Sequence, residues 1–160
     1  MGKELRKTDS GLIYPLQGRW QIRNKTLPAD QNIFGDNLPS RAKKKHWGWD
    51  LSAPVGTNVY SIGDGKVINT SIIEGYGQVV MHGFKFNNKT CYVVYAHLSY
   101  VLVSVGDTVA RGQIVGLTGV SGNADAKDPH LHLEFHSDTT LLTGPVGKIN
   151  PKVFFGDPPI

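Results

Sequence analysis

Five side chains in this sequence are of the right type to hold and use a metal ion. His46 and Asp50 stand four residues apart in His46-Trp47-Gly48-Trp49-Asp50. His130 and His132 alternate in Pro129-His130-Leu131-His132, and His97 lies in Tyr95-Ala96-His97-Leu98. Imidazole nitrogen and carboxylate oxygen are zinc donors. Three protein ligands with a fourth position left to water mark a catalytic site, whereas structural sites close that position, usually with cysteine. Cys91 is the only cysteine, which excludes a cysteine-rich structural site. Five groups exceed what a three-ligand site needs, and the surplus matches the acid and base that hydrolysis requires.

The spacing says how such groups could meet. Residues 130–136 read His-Leu-His-Leu-Glu-Phe-His. His130, His132, Glu134 and His136 fall on one face and Leu131, Leu133 and Phe135 on the other, the period of a strand. The apolar face is expected in the core. His130 and His132 are then ~6–7 Å apart along the strand, so one can ligate a metal while its neighbour reaches the water there. Three imidazoles on one short face are unusual for a merely solvated edge. His46 and Asp50 would be ~13 Å apart in an extended strand, long for a single ion. A bend at Gly48 is therefore expected, with Trp47 and Trp49 turned away as buried anchors. His97 ends an apolar strand and is expected on the face of Val93 and Tyr95. His82 and His136 read as bystanders, and Cys91 as a small packing residue.

The elements that must position these groups are short strands broken by Gly, Asn or Asp. Residues 59–62, 66–73, 78–86, 90–98 and 114–117 all read as strand, as does Val109, and no stretch keeps a helical period. Phe86-Asn87-Asn88-Lys89-Thr90 reads as a hairpin turn, because Asn tolerates left-handed backbone angles. Val55-Gly56-Thr57-Asn58-Val59 is echoed fifty residues on by Val105-Gly106-Asp107-Thr108-Val109, a weak internal repeat. The second copy resembles a biotinyl or lipoyl carrier hairpin, but Met81 is followed by His82 where a biotin carrier has its modified Lys. The fold class expected is all-β.

With 160 residues the chain fits one domain with a core. Residues 1–32 read as an irregular N-terminal extension and groove wall, and residues 33–160 as a single domain. No apolar run approaches the ~20 residues of a membrane helix, and no Sec-type signal is seen at the N-terminus. The formal net charge is +4, which suits an anionic partner. Its densest cluster is Arg41, Lys43, Lys44 and Lys45, immediately before His46. No helix-turn-helix, RRM or zinc-finger pattern is present, which argues against nucleic acid.

The His46–Asp50 segment, Tyr95-Ala96-His97-Leu98 and His130-Leu131-His132-Leu133-Glu134-Phe135 together resemble the lysostaphin/LytM-type zinc metalloendopeptidases. Ala53-Pro54-Val55-Gly56-Thr57, Gly63-Asp64-Gly65-Lys66-Val67 and the Gly106–Gln113 segment resemble that family in the right order, and Ile149-Asn150-Pro151 resembles its closing turn. The match runs over roughly residues 33 to 153. It implies a two-sheet antiparallel β sandwich with few or no helices and a groove over one Zn2+ per chain. Matching motif positions implies that His46, Asp50 and His132 ligate the metal. His97 and His130 would be the catalytic pair, and Glu134 a supporting residue. No His-Glu-x-x-His helix exists, so the chain is not thermolysin-like.

The resemblance also implies an endopeptidase acting on bacterial peptidoglycan, in the periplasm or the extracellular wall, as a monomer without membrane insertion. The basic run before His46 favours stem-peptide cross-links, which carry free carboxylates, over glycine bridges. An antibacterial effector or lysin role fits, and an injected effector would imply a cognate inhibitor protein. The alternatives are an inactive wall-binding or regulatory LytM-like domain and a zinc protease acting on protein. Two departures stand out: the long loop Gly122–Asp128, and Phe34-Gly35-Asp36-Asn37 where the family has Phe-Gly-x-Arg.

Overall fold

The computed structural model describes residues 5–18, 21–22, 34–35, 46–140 and 146–158. The basic run at 41–45 and the expected boundary at residue 32 lie outside them. Among the described residues there are ten strands and one turn of helix: β1 (Trp49–Ser52), β2 (Asn58–Tyr60), β3 (Gly65–Asn69), β4 (Ile72–Ile73), β5 (Gly77–Phe86), β6 (Lys89–Val101), β7 (Thr108–Val109), β8 (Ile114–Thr118), β9 (His130–His136), β10 (Lys148–Ile149) and α1 (Lys152–Phe155). Every pairing is antiparallel, as the all-β reading expects.

Local chemistry explains the breaks between strands. Asn87 and Asn88 have φ of 47° and 62°, both left-handed, which gives the two-residue turn whose twist suits a β5–β6 hairpin. The stretch 66–73, expected as one strand, is two. The backbone N–H and the hydroxyl of Ser71 both donate to Asn69 Oδ1, at 2.8 and 2.6 Å. This side-chain turn interrupts the ladder between β3 and β4.

The strands form one hydrogen-bonded network running β1-β9-β6-β5-β3-β7. The long strand β6 joins its parts. Residues Tyr92–Ala96 pair with β9, while beyond His97 the same strand takes β8, which in turn carries β2. The central strands have two buried faces. Val80, Phe84, Val93, Tyr95, Leu131, Leu133 and Phe135 pack with Trp49, Leu51 and Phe154 into the main core. On the other face Val79, Met81, Val94 and Ala96 form a smaller cluster with Ile73, Tyr76 and Tyr92 packed against it. His130, His132, Glu134 and His136 share that second face with Asp50. Residues 5–18 join the main core through Leu12 and Leu16, and the Ile13 N–H donates to the Ile62 carbonyl at 3.0 Å.

The weak sequence repeat has a structural counterpart. Gly56 N–H donates to the Thr118 carbonyl while Thr118 N–H donates to the Thr57 carbonyl. Fifty residues on, Gly106 N–H donates to the Val67 carbonyl while Val67 N–H donates to the Asp107 carbonyl. Each turn thus clasps the strand that follows the other turn, with φ of 85° at Gly56 and 94° at Gly106, where a side chain would be strained. The two halves interlock, and this brings β2 and β8, and likewise β3 and β7, together.

Candidate metal centre

The β1–β9 register sets Asp50 directly opposite His132 and Ser52 opposite His130. His132 Nδ1 lies 2.7 Å from Asp50 Oδ1. His46 Nε2 lies 3.1 Å from the same oxygen and 3.2 Å from His132 Nδ1. These three donor atoms converge as a possible metal set. Their separations compare with about 3.3 Å between two ligands of a tetrahedral ion with bonds near 2.0–2.1 Å. The chain bends at Gly48 as expected, and space is the reason it must be glycine. A Cβ there would sit 2.4 Å from the Leu133 carbonyl oxygen, 2.9 Å from Glu134 Cγ and 3.1 Å from His132 Cε1. Without a side chain the segment lies flush on β9. Trp49 is buried in the main core, and Trp47 packs edge-on against Phe34 with centroids 5.5 Å apart.

The donor set fits zinc. Two imidazole nitrogens 3.2 Å apart that share one carboxylate oxygen are poorly served by protons alone. A cation between them accepts all three lone pairs. Burial would raise the Asp50 carboxyl, but the charges of His46 and His130 and hydrogen bonds from His132 and His46 hold it well below the usual carboxylate range. Burial opposes protonation of His132, yet hydrogen bonds to Asp50 and Glu134 and their charges push it up to about 9. A positive charge is therefore favoured at this point, and a metal ion would take the place of that proton.

His97 and His130 stand against this trio. Their ring centroids are 4.9 Å apart, and His97 is 5.8 Å from His132. All five groups are 8% exposed at most, so none belongs to a solvated surface. The expected face of His97 is corrected here. Gln78 pairs with Leu98 but Val80 with Tyr95, so β6 carries one extra residue at this point, a β-bulge. His97 has φ 59°, its N–H donates to the Tyr76 carbonyl at 2.8 Å, and the bulge turns its ring from the Val93–Tyr95 face to the metal side. His97 Nδ1–H donates to the Ser121 carbonyl at 2.8 Å, and His130 Nδ1–H to the Asp128 carbonyl at 3.0 Å. When neutral, each ring then carries its lone pair on Nε2. Burial, with the His132 and His130 charges, presses His97 down to about 3.

Glu134 takes the supporting place expected of it, and several of its partners escaped the sequence reading. Glu134 Oε1 accepts His132 Nε2–H at 2.9 Å and the Tyr76 hydroxyl at 3.0 Å, so Glu134 supports a metal-site histidine rather than acting as the base. His136 is no bystander: its Nε2 is 2.9 Å from Glu134 Oε2, and its Nδ1–H donates to the Thr140 carbonyl at 3.0 Å. Lys148 pairs with Glu134 Oε2. Burial would raise the Glu134 carboxyl, but hydrogen bonds from His132 and His136 and the Lys148 charge carry it well below the usual range. For His136 the alternation along β9 was an available signal. Ser121, Tyr76 and Lys148 carried none.

Residues 44–143 match peptidase family M23, and the chain belongs to that family, which is one of zinc peptidases. Among curated proteins, the peptidoglycan DD-endopeptidase ShyA of Vibrio cholerae is 34% identical over 76% of this chain and 26% of its own length. The murein hydrolase activator EnvC of Escherichia coli is 35% identical over 82% of this chain and 29% of its own. The chain thus spans between a quarter and a third of these relatives. Among solved structures, the catalytic domain of the antimicrobial peptidase lysostaphin from Staphylococcus simulans superposes with a TM-score of 0.64 at 28% identity, covering 76% of this chain and 86% of that one. The resemblance to lysostaphin/LytM-type zinc metallopeptidases is borne out.

Proposed function

We propose that this domain is a zinc-dependent endopeptidase that hydrolyses peptide bonds of peptidoglycan in the periplasm or the extracellular wall. His46, Asp50 and His132 are the metal ligands, and His97 and His130 the catalytic pair. The observation that carries this reading is the convergence of two backbone-tethered imidazoles on a buried His-Asp-His trio. A zinc ion held by the trio supplies Lewis acidity toward a water and the scissile carbonyl. Of the two tethered imidazoles, one accepts the water's proton through Nε2 and passes it to the leaving amine. The other, when it carries a proton on Nε2 as well, would donate to the carbonyl oxygen as it gains charge. Glu134 accepts the His132 Nε2–H and so leaves Nδ1 to face the metal beside Asp50.

Stem-peptide cross-links are the bonds this reading favours. The similarity to a DD-endopeptidase over most of the chain supports them, as does the basic run before His46, which suits free carboxylates. The similarity to an activator named EnvC favours a second reading, a regulatory domain without hydrolysis. The complete set of five groups supports the enzyme. Digestion of purified sacculi by the zinc-loaded domain, followed by mass analysis of fragments, tests both. Cleaved stem cross-links are expected, and are to vanish when a chelator is added. Cleaved glycine bridges would overturn the bond assignment, and intact sacculi would favour the regulator.

A further inference from the structure

The costliest group near the trio is one that a metal site does not obviously need. The Lys148 side chain is wholly buried, a state in which lysine survives only when paired. Its Nζ pairs with Glu134 Oε2 and lies 3.2 Å from His136 Nε2 and 3.3 Å from the Tyr76 hydroxyl. The two oxygens of Glu134 are thereby divided. Oε2 is taken by Lys148 and by His136 at 2.9 Å, while Oε1 faces His132 Nε2 at 2.9 Å. A buried ion pair is a poor device for stability alone, because apolar residues of similar volume often serve the fold as well or better. What it does supply is a carboxylate with one permitted rotation.

We propose that Lys148 is a positioning residue for metal binding. It anchors Glu134 by Oε2 so that Oε1 receives the His132 Nε2–H, which leaves the Nδ1 lone pair of His132 aimed at the ion shared with His46 and Asp50. The proposal rests on the reading of His132 as a ligand. Without the Lys148 charge, Glu134 is a buried anion that must turn or draw in water. Each of these weakens the acceptor on which the orientation of His132 depends.

Zinc affinity, measured by competition with a chelator of known strength, tests this on the parent, on Lys148→Met and on Lys148→Met/Glu134→Gln, with melting curves of the metal-free proteins alongside. Lys148→Met is expected to weaken zinc binding by about 10- to 100-fold. The double variant is expected to regain most of that loss, because an amide oxygen still accepts from His132 and needs no counter-ion. Unchanged affinity in Lys148→Met, or no recovery in the double variant, overturns the proposal. Should Lys148→Met fail to fold, the double variant decides: tight zinc binding by it supports the role through Glu134, and loss of binding overturns it. A parent protein that takes up no zinc overturns the ligand reading instead, a result the variants cannot mimic.

Discussion

The central sheet buries histidine on both faces, and the two faces use it in opposite ways. On the core face His82 is fully buried. Its Nδ1–H donates to the Gly83 carbonyl at 2.8 Å, and its Nε2 lies 2.9 Å from the Tyr95 hydroxyl and 3.1 Å from Ser61 Oγ. Ser61 spends its own proton on the Gly63 carbonyl, and Tyr95 accepts the Ile62 N–H, so Tyr95 is left to donate to His82. Every proton in this group finds an acceptor, without a charge. On the opposite face His46, Asp50 and His132 aim three lone-pair atoms at one another, flanked by the charged Glu134 and Lys148. A buried histidine is therefore not in itself a sign of catalysis. What marks the second face is three possible metal-donor atoms that converge on one point among charged groups.

If that contrast is right, removing one acceptor from the converging face has the largest effect of any substitution. Asp50→Ala is expected to abolish stoichiometric zinc uptake and hydrolysis together, read by metal analysis and by release of peptide fragments from sacculi. Zinc retained at parent affinity would show that the convergence is not the metal site. Next in size come the tethered imidazoles. His130→Ala and His97→Ala are expected to keep zinc while hydrolysis falls about 10²–10⁴-fold. Full activity in either would remove that residue from the catalytic pair.

Gly48→Ala breaks the contrast by geometry alone. Its Cβ would meet the Leu133 carbonyl at 2.4 Å, so the His46–Asp50 segment must lift from β9. A loss of about 1–3 kcal/mol in stability is expected, with weaker zinc binding measured against a chelator. An unperturbed melt with parent zinc affinity would mean that the segment has room to shift.

These residues also show how far a sequence carries. The face of residues 130–136 could be read from alternation, because period two belongs to the strand itself. The bend at Gly48 could be read from an impossible extended distance. The face of His97 could not, since it depends on a bulge created by the register between β5 and β6, a property of two strands together. Lys148 was invisible for a similar reason. Its role exists only because β10 pairs with β9 and sets Lys148 opposite His136. The repeat at 55–59 and 105–109 was faint as letters, yet the hydrogen bonds it makes are equivalent in both halves.

The last effect expected is on the neutral face, where neither zinc nor hydrolysis is involved, and it has a sign of its own. Burial holds His82 down to about 4, whereas in the unfolded chain it titrates near 6.5. The unfolded state therefore binds a proton first as pH falls. The stability tied to a neutral His82 is complete above about pH 6.5 and is lost progressively between there and pH 4, on the order of 3 kcal/mol in all. In His82→Gln that contribution is absent. The variant is expected to melt below the parent at pH 7.5, and the gap between them to narrow at pH 5. Melts of metal-free protein isolate the effect from zinc binding, and other titrating groups cancel in the difference between parent and variant. A gap that stays constant with pH would mean that His82 carries a proton inside the fold, and the core face would then hold a charge much as the metal face does.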